Sequence, residues 1–252
     1  MRTSVRTAAV TAMSLALLVT ACGGEKKADE QGKGKATAPS AAATPTAPAA
    51  KVLTQGELEE AIVGQADLKG YKVEAGEGSR IGSSAVIVDK EACKPLADAV
   101  SAIPHHLAFA TAETTAVELP KKDPAAEPGE ALLKGLGARA TTLALSSYEG
   151  DSAQEALSAV KASGTACAGG FTVTVMDEKT KVRSVAPASV SFGDESQAWT
   201  VTMVVEGAPH VTNVVLFRKG GTVALAVTNS LAPGGTATLP KAVLAAQEAK
   251  LG

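Results

Sequence analysis

Apolar positions along this chain repeat in two ways. In four stretches they recur every three or four residues, the spacing of one helix face. Thr54-Gln55-Gly56-Glu57 has capping-box spacing and precedes Leu58, Ala61 and Ile62. Asp89 or Lys90 opens a second helical stretch carrying Cys93, Leu96, Ala97, Val100 and Ile103, which Pro104 ends. Asp151-Ser152-Ala153-Gln154 opens a third, with Ala153, Ala156, Leu157 and Val160 on one face and Gly164 as its C-cap. Pro240 suits the first turn of a fourth, which runs to the end of the chain.

The second rhythm is alternation. Ala138 to Tyr148, Phe171 to Met176, Ala198 to Glu206, Val211 to Arg218 and Thr222 to Thr228 are β-branched runs between turn residues. The last three read as a meander through Gly207-Ala208-Pro209-His210 and Lys219-Gly220-Gly221. Tyr71 to Glu74, Ala85 to Val88 and Val182 to Val190 read as shorter edge strands. Trp199, Val201, Met203 and Val205 share one side of their strand, as do Val211, Val215 and Phe217, and Val223, Leu225 and Val227. Thr172, Thr174, Thr200, Thr202, Thr212, Thr222 and Thr228 fall on the opposite sides. The expected fold is therefore α+β: an antiparallel sheet with helices packed on its apolar face and threonines on a wetter one.

The first 50 residues follow neither rhythm. Arg2 and Arg6 precede an apolar run from Ala8 to Val19, which is shorter than the roughly 20 residues a membrane span needs. Residues 1–21 read as an export signal. Their end, Val19-Thr20-Ala21-Cys22, resembles the lipobox of bacterial lipoproteins, which implies cleavage before Cys22 and transfer of a diacylglyceryl group to its sulfur. An ordinary signal peptide ending near a cysteine is the other reading. Residues 22–50 are rich in Lys, Ala, Thr and Pro, with almost nothing to bury, and read as a disordered tether. Residues 51–252 then form one domain.

Charge narrows the partners. The chain has 24 basic and 26 acidic residues. Loss of the leader removes Arg2 and Arg6 and leaves a net charge near −4. No basic stripe offers itself to nucleic acid. Membrane lipid, reached through acylated Cys22, is the expected partner, with a small molecule or an envelope protein as the possible second.

Cys93 and Cys167 remain. In an exported domain an even pair reads as a disulfide closing about 75 residues; a catalytic thiol is the alternative and would need a nearby base. "DKEACKPLADAV" and "SYEGDSAQEALSAVKASGTACAGGF" resemble the two cysteine-bearing segments of a family of actinobacterial lipoproteins. The plan from Thr54 to Gly252 is also similar to the extracytoplasmic sensor domain of the mycobacterial H-type serine/threonine protein kinase. That resemblance implies an α+β domain with a cleft beside a central sheet. Such sensors normally carry two disulfides; this chain has cysteines for one. It carries over no ligand contact.

Chemistry is sparse. His105-His106, with Glu113 and Glu118 nearest, lacks metal-ligand spacing. His210 sits in an expected turn, and Ser83-Ser84 lacks a Gly-x-Ser-x-Gly context. Gly164, Gly169 and Gly170 flank Cys167 without the Lys of a phosphate loop. Glu149 with Asp151, and Asp194 with Glu195, read as caps or turns. No cofactor, metal or catalytic residue is expected. A surface-tethered binding or sensing module comes first, a structural or accessory envelope protein second, and a hydrolase third.

Overall fold

The computed structural model describes residues 50–76, 81–120, 137–232 and 235–252, all within one compact unit, Ala47–Gly252. The leader, Cys22, nearly all of the expected tether and most of the Pro/Gly-rich stretch Lys121 to Gly137, expected as the loosest internal loop, lie outside the described residues.

Thr54 caps α1 (Gln55–Ala61) in a full capping box with Glu57. The strands β1 (Tyr71–Ala75) and β2 (Val86–Val88) follow, then α2 (Lys94–Val100), β3 (Ala110–Glu118) and β4 (Arg139–Ser147). After α3 (Ser152–Ala166) come β5 (Phe171–Val175), β6 (Glu178–Ala188), β7 (Glu195–Val205), β8 (Ala208–Lys219) and β9 (Thr222–Ser230); α4 (Lys241–Leu251) closes the chain. The strands form one nine-stranded sheet in the order β1-β3-β4-β9-β8-β7-β6-β5-β2. Every adjacent pair is antiparallel.

The α+β class and antiparallel sheet are those expected, and the meander β7-β8-β9 is present. Both faces of the sheet are covered, however. Trp199 pairs with Val214, and Val201 with Thr212, so Val215 and Phe217 point to the other side. α2 and α3 pack on the Trp199 side with Leu216, Leu225 and Val227. α1 and α4 pack on the opposite side against Leu143, Leu145, Val215 and Phe217. Strands apolar on both sides, such as Val214-Val215-Leu216-Phe217, are what double coverage requires. The threonines are correspondingly absorbed. Thr212, Thr222 and Thr228 are buried, and Thr228 Oγ1 lies 2.9 Å from Thr141 Oγ1.

Several boundaries differ from expectation. β3 was not foreseen. β6 starts at Glu178 and lies inside the sheet, because β5 and β2 continue beyond it. β8 begins at Ala208, so His210 sits on a strand opposite Met203. α2 stops at Val100, and Ala102 takes φ 56°, which carries Ile103 out of the helix. Pro240 is the N-cap of α4, one position before its first turn. Gly164 lies inside α3, and Cys167 is the C-cap. Cys93 and Cys167 are joined, with Cα atoms 5.8 Å apart, so the turn entering α2 is tied to the end of α3.

Candidate functional site

The main concavity arises where the edge strand is too short. β1 stops at Ala75, opposite Thr114, while β3 continues to Ala110 with no strand beyond it. A cleft of about 940 Å³ occupies the gap. One wall is α1, contributing Gln55 and Glu59, with its C-cap Ile62; the other is Ala102–Pro104.

Both walls are anchored. Buried Gln247 on α4 accepts a hydrogen bond from Val63 N at 3.0 Å and donates to Ala61 O at 2.9 Å, satisfying the end of α1. Lys250 donates to Ile62 O at 2.7 Å and to Asp67 at 3.1 Å. On the far wall, Ile103 N donates to Asp98 O, and Tyr148 Oη donates to His105 O at 2.7 Å. Burial pushes the Tyr148 phenol up to about 12, so it stays a donor.

Among the described residues, one charged group of the cleft has no partner. Glu113 projects from β3, half-buried, with no hydrogen-bond or ion-pair partner among the described residues. Burial raises its carboxyl above the usual range. Its side chain lies over Gly76: a Cβ there would sit 2.8 Å from Glu113 Cβ, Cγ and Oε1. Gly76 N donates to Glu113 O at 2.8 Å. The other polar groups are engaged. Gln55 Oε1 accepts from Thr111 N at 3.3 Å, its Nε2 donates to Glu59 at 2.8 Å, and Lys250 is held as described. Val73, Ile81 and Ile103 add apolar surface. The arrangement suits a molecule with an apolar body and one polar group placed at Glu113.

The remaining candidates do structural work or stand apart. Glu118 pairs with Arg139 at 2.6 Å, at the other end of β3 from Glu113's neighbour Ala112. Asp194 accepts from Gly220 N at 2.8 Å and from Arg218 at 3.1 Å. Asp151 is the N-cap of α3 without a side-chain bond. His105 and His106 meet edge to face, ring centroids 4.4 Å apart. Burial and then His106 lower the His105 imidazole below its usual range. Ser83 Oγ donates to buried Asp98 at 2.7 Å, and the Lys94 ammonium is held by Asp98, Ser83 Oγ and Ser83 O. These bonds tie the turn Ser83–Ala85 to α2. Among the described residues no three His, Cys, Asp or Glu side chains gather to hold a metal. Trp199 does not line this cleft; it is packed against Gly164.

Comparison with known proteins finds little. No protein-family profile matches the chain, and no curated protein is similar to it. Among solved structures, the extracellular domain of PknH from Mycobacterium tuberculosis is similar with a TM-score of 0.49 and 13% identity, over 80% of this chain and 97% of that one.

Proposed function

We propose that this chain is a lipid-anchored extracytoplasmic protein whose domain is a non-enzymatic binding or sensing module, with its ligand in the cleft between α1 and Ala102–Pro104. The half-buried carboxyl of Glu113, without a partner among the described residues, is the observation that carries the reading. A half-buried carboxyl without a partner bears part of its desolvation cost, and an incoming polar group would offset it. The ligand is a small amphiphile. The leader, the lipobox at Cys22 and the Cys93–Cys167 bond support an oxidising, extracytoplasmic setting.

The test is mass spectrometry of small molecules retained by the protein purified from its native envelope. Wild-type protein is expected to carry a molecule that Glu113→Leu loses while keeping its melting temperature. Wild-type protein that carries nothing, or a molecule retained undiminished by Glu113→Leu, would sink the reading.

A further inference from the structure

Three parts of the domain converge on Ser147, the buried last residue of β4, and its neighbour Tyr148. Its Oγ accepts from Leu53 N at 2.7 Å, where the N-terminal chain joins the domain. Its carbonyl accepts from Phe109 N at 2.8 Å. The next residue, Tyr148, donates its N–H to Gly221 O and its hydroxyl to His105 O. The loop from Pro104 to Phe109 is thus hung from the same residues that receive the preceding chain.

That loop presents apolar side chains to solvent. Leu107 is 99% exposed and Phe109 57%. Around them are Ala108 and two histidines, with no carboxylate between Pro104 and Phe109. The other exposed large apolar residues differ in arrangement. Ile87, 62% exposed, lies on the edge strand β2 opposite Thr174, and Leu119, Met176, Val205 and Leu231 lie at the opposite end of the sheet, each beside a different strand. Isolated exposures of that kind are ordinary; two apolar side chains sharing one anchored loop are a patch.

We infer that Leu107 and Phe109 form a contact site for the lipid bilayer that carries the protein. The inference rests on the reading of residues 1–22 as leader and lipid-attachment site. The occupant follows from where the preceding chain ends. Ala50 lies against the Gly220–Gly221 turn, at the Ser147 end of the sheet, so the chain that leads back to Cys22 leaves the domain at the end that carries the loop. Two side chains are too few to hold a soluble protein on a membrane, but an anchor that keeps the domain near the surface makes a weak contact effectively intramolecular. A second copy fits poorly, since a stable dimer covers about 800 Å² per partner, far more than two side chains offer. Docked this way, the loop would also bring the cleft close to the lipid surface, because Pro104 and Thr111 line both the loop's flank and the cleft.

The experiment uses the full-length gene product, extracted from its envelope and reconstituted into vesicles of phosphatidylethanolamine and phosphatidylglycerol with bromine-labelled acyl chains. Leu107→Trp is compared with Met176→Trp, a similarly exposed position at the far end; buried Trp199 supplies the same background in both. Bromine is expected to quench the added Leu107→Trp emission about twofold more than that of Met176→Trp. Equal quenching overturns the inference, as does failure of the protein to float with the vesicles. A blue-shifted Leu107→Trp emission without quenching assigns the loop to a protein partner or second copy and also overturns it. The mass of the N-terminal peptide from the same sample reports lipid on Cys22 separately. A quenched loop on an unlipidated chain leaves the bilayer contact standing and removes the anchor reading alone.

Discussion

A Cβ atom at position 164 would lie 2.2 Å from Nε1 of Trp199. Gly164 sits inside α3, where glycine costs helix stability, and its bare Cα lets the helix settle directly on the indole. Trp199 is 4% exposed and belongs to the core under α2 and α3. Gly164→Ala should therefore destabilise the domain by about 1–3 kcal/mol through overpacking, despite alanine's better helix propensity. Urea unfolding measures it. A variant as stable as wild type would mean that the helix can shift off the tryptophan without loss.

The covalent tie should matter more. The Cys93–Cys167 bond spans 74 positions and fixes the turn entering α2 to the C-cap of α3. In the chain-entropy relation, closing a loop of that size stabilises by roughly 4–5 kcal/mol. Cys93→Ser and Cys167→Ser should each lower the melting temperature by at least several degrees, and the double variant by little more than either single one. Additive losses would show that each cysteine contributes through its own packing.

How much of this could be read from the sequence varied with the residues involved. Strands β4, β7, β8 and β9 announced themselves because Val, Leu and Phe alternate or run together between turn residues. β3, "ATAETTAVE", did not. Its inward residues are Ala110, Ala112, Thr114 and Ala116, small enough to lie under α1, and they carry almost no hydrophobic signal. The expectation of a wet threonine face failed for a related reason. Alternation gives sides within a strand, but cross-strand register decides which sides align, and Val201 opposite Thr212 could not be foreseen from either strand alone. The cleft was hidden with β3. In the sequence Glu113 is a carboxylate near two histidines, and its place in the cleft depends on β1 ending one residue short of it. Gly164 carried the wrong message: a glycine near the end of a helical stretch suggests a C-cap, and its actual reason is a tryptophan 35 positions away.

The anchor reading has a direct check. Cells fed an alkyne-bearing fatty acid should incorporate the label into the wild-type protein and not into Cys22→Ala, which should be released or left unprocessed. Hydrolysis of the ester-linked chains of a diacylglyceryl group should release that label from the protein. An unlabelled wild-type protein would reduce residues 1–21 to an ordinary export signal.

Acid should loosen α1 through one identifiable carboxylate. Glu57 accepts hydrogen bonds from Thr54 N and Thr54 Oγ1, both at 2.9 Å, and pairs with Lys51 at 2.7 Å. The Lys51 ammonium, then the bonds from Thr54, hold its carboxyl down at about 2, against an ordinary 4.5. A carboxyl lowered on folding stabilises the protein fully above its unfolded value, and the contribution fades as pH falls toward the folded one. The window for Glu57 is thus about 4.5 down to about 2. Asp67 and Asp89, lowered mainly by bonds from Gly64 N and Thr172 N, decline in acid as well, so wild-type stability should fall for several reasons at once. Glu57→Gln isolates one of them. Its amide oxygen can still accept from Thr54 N, but it has no charge to lose. The variant should be less stable than wild type at about pH 6, and the gap should narrow on acidification toward about pH 3. Urea titrations of both proteins across that range supply the comparison. A constant gap would mean that Lys51 and Thr54 do not favour the ionised form of Glu57, and that the capping box works through hydrogen bonding alone.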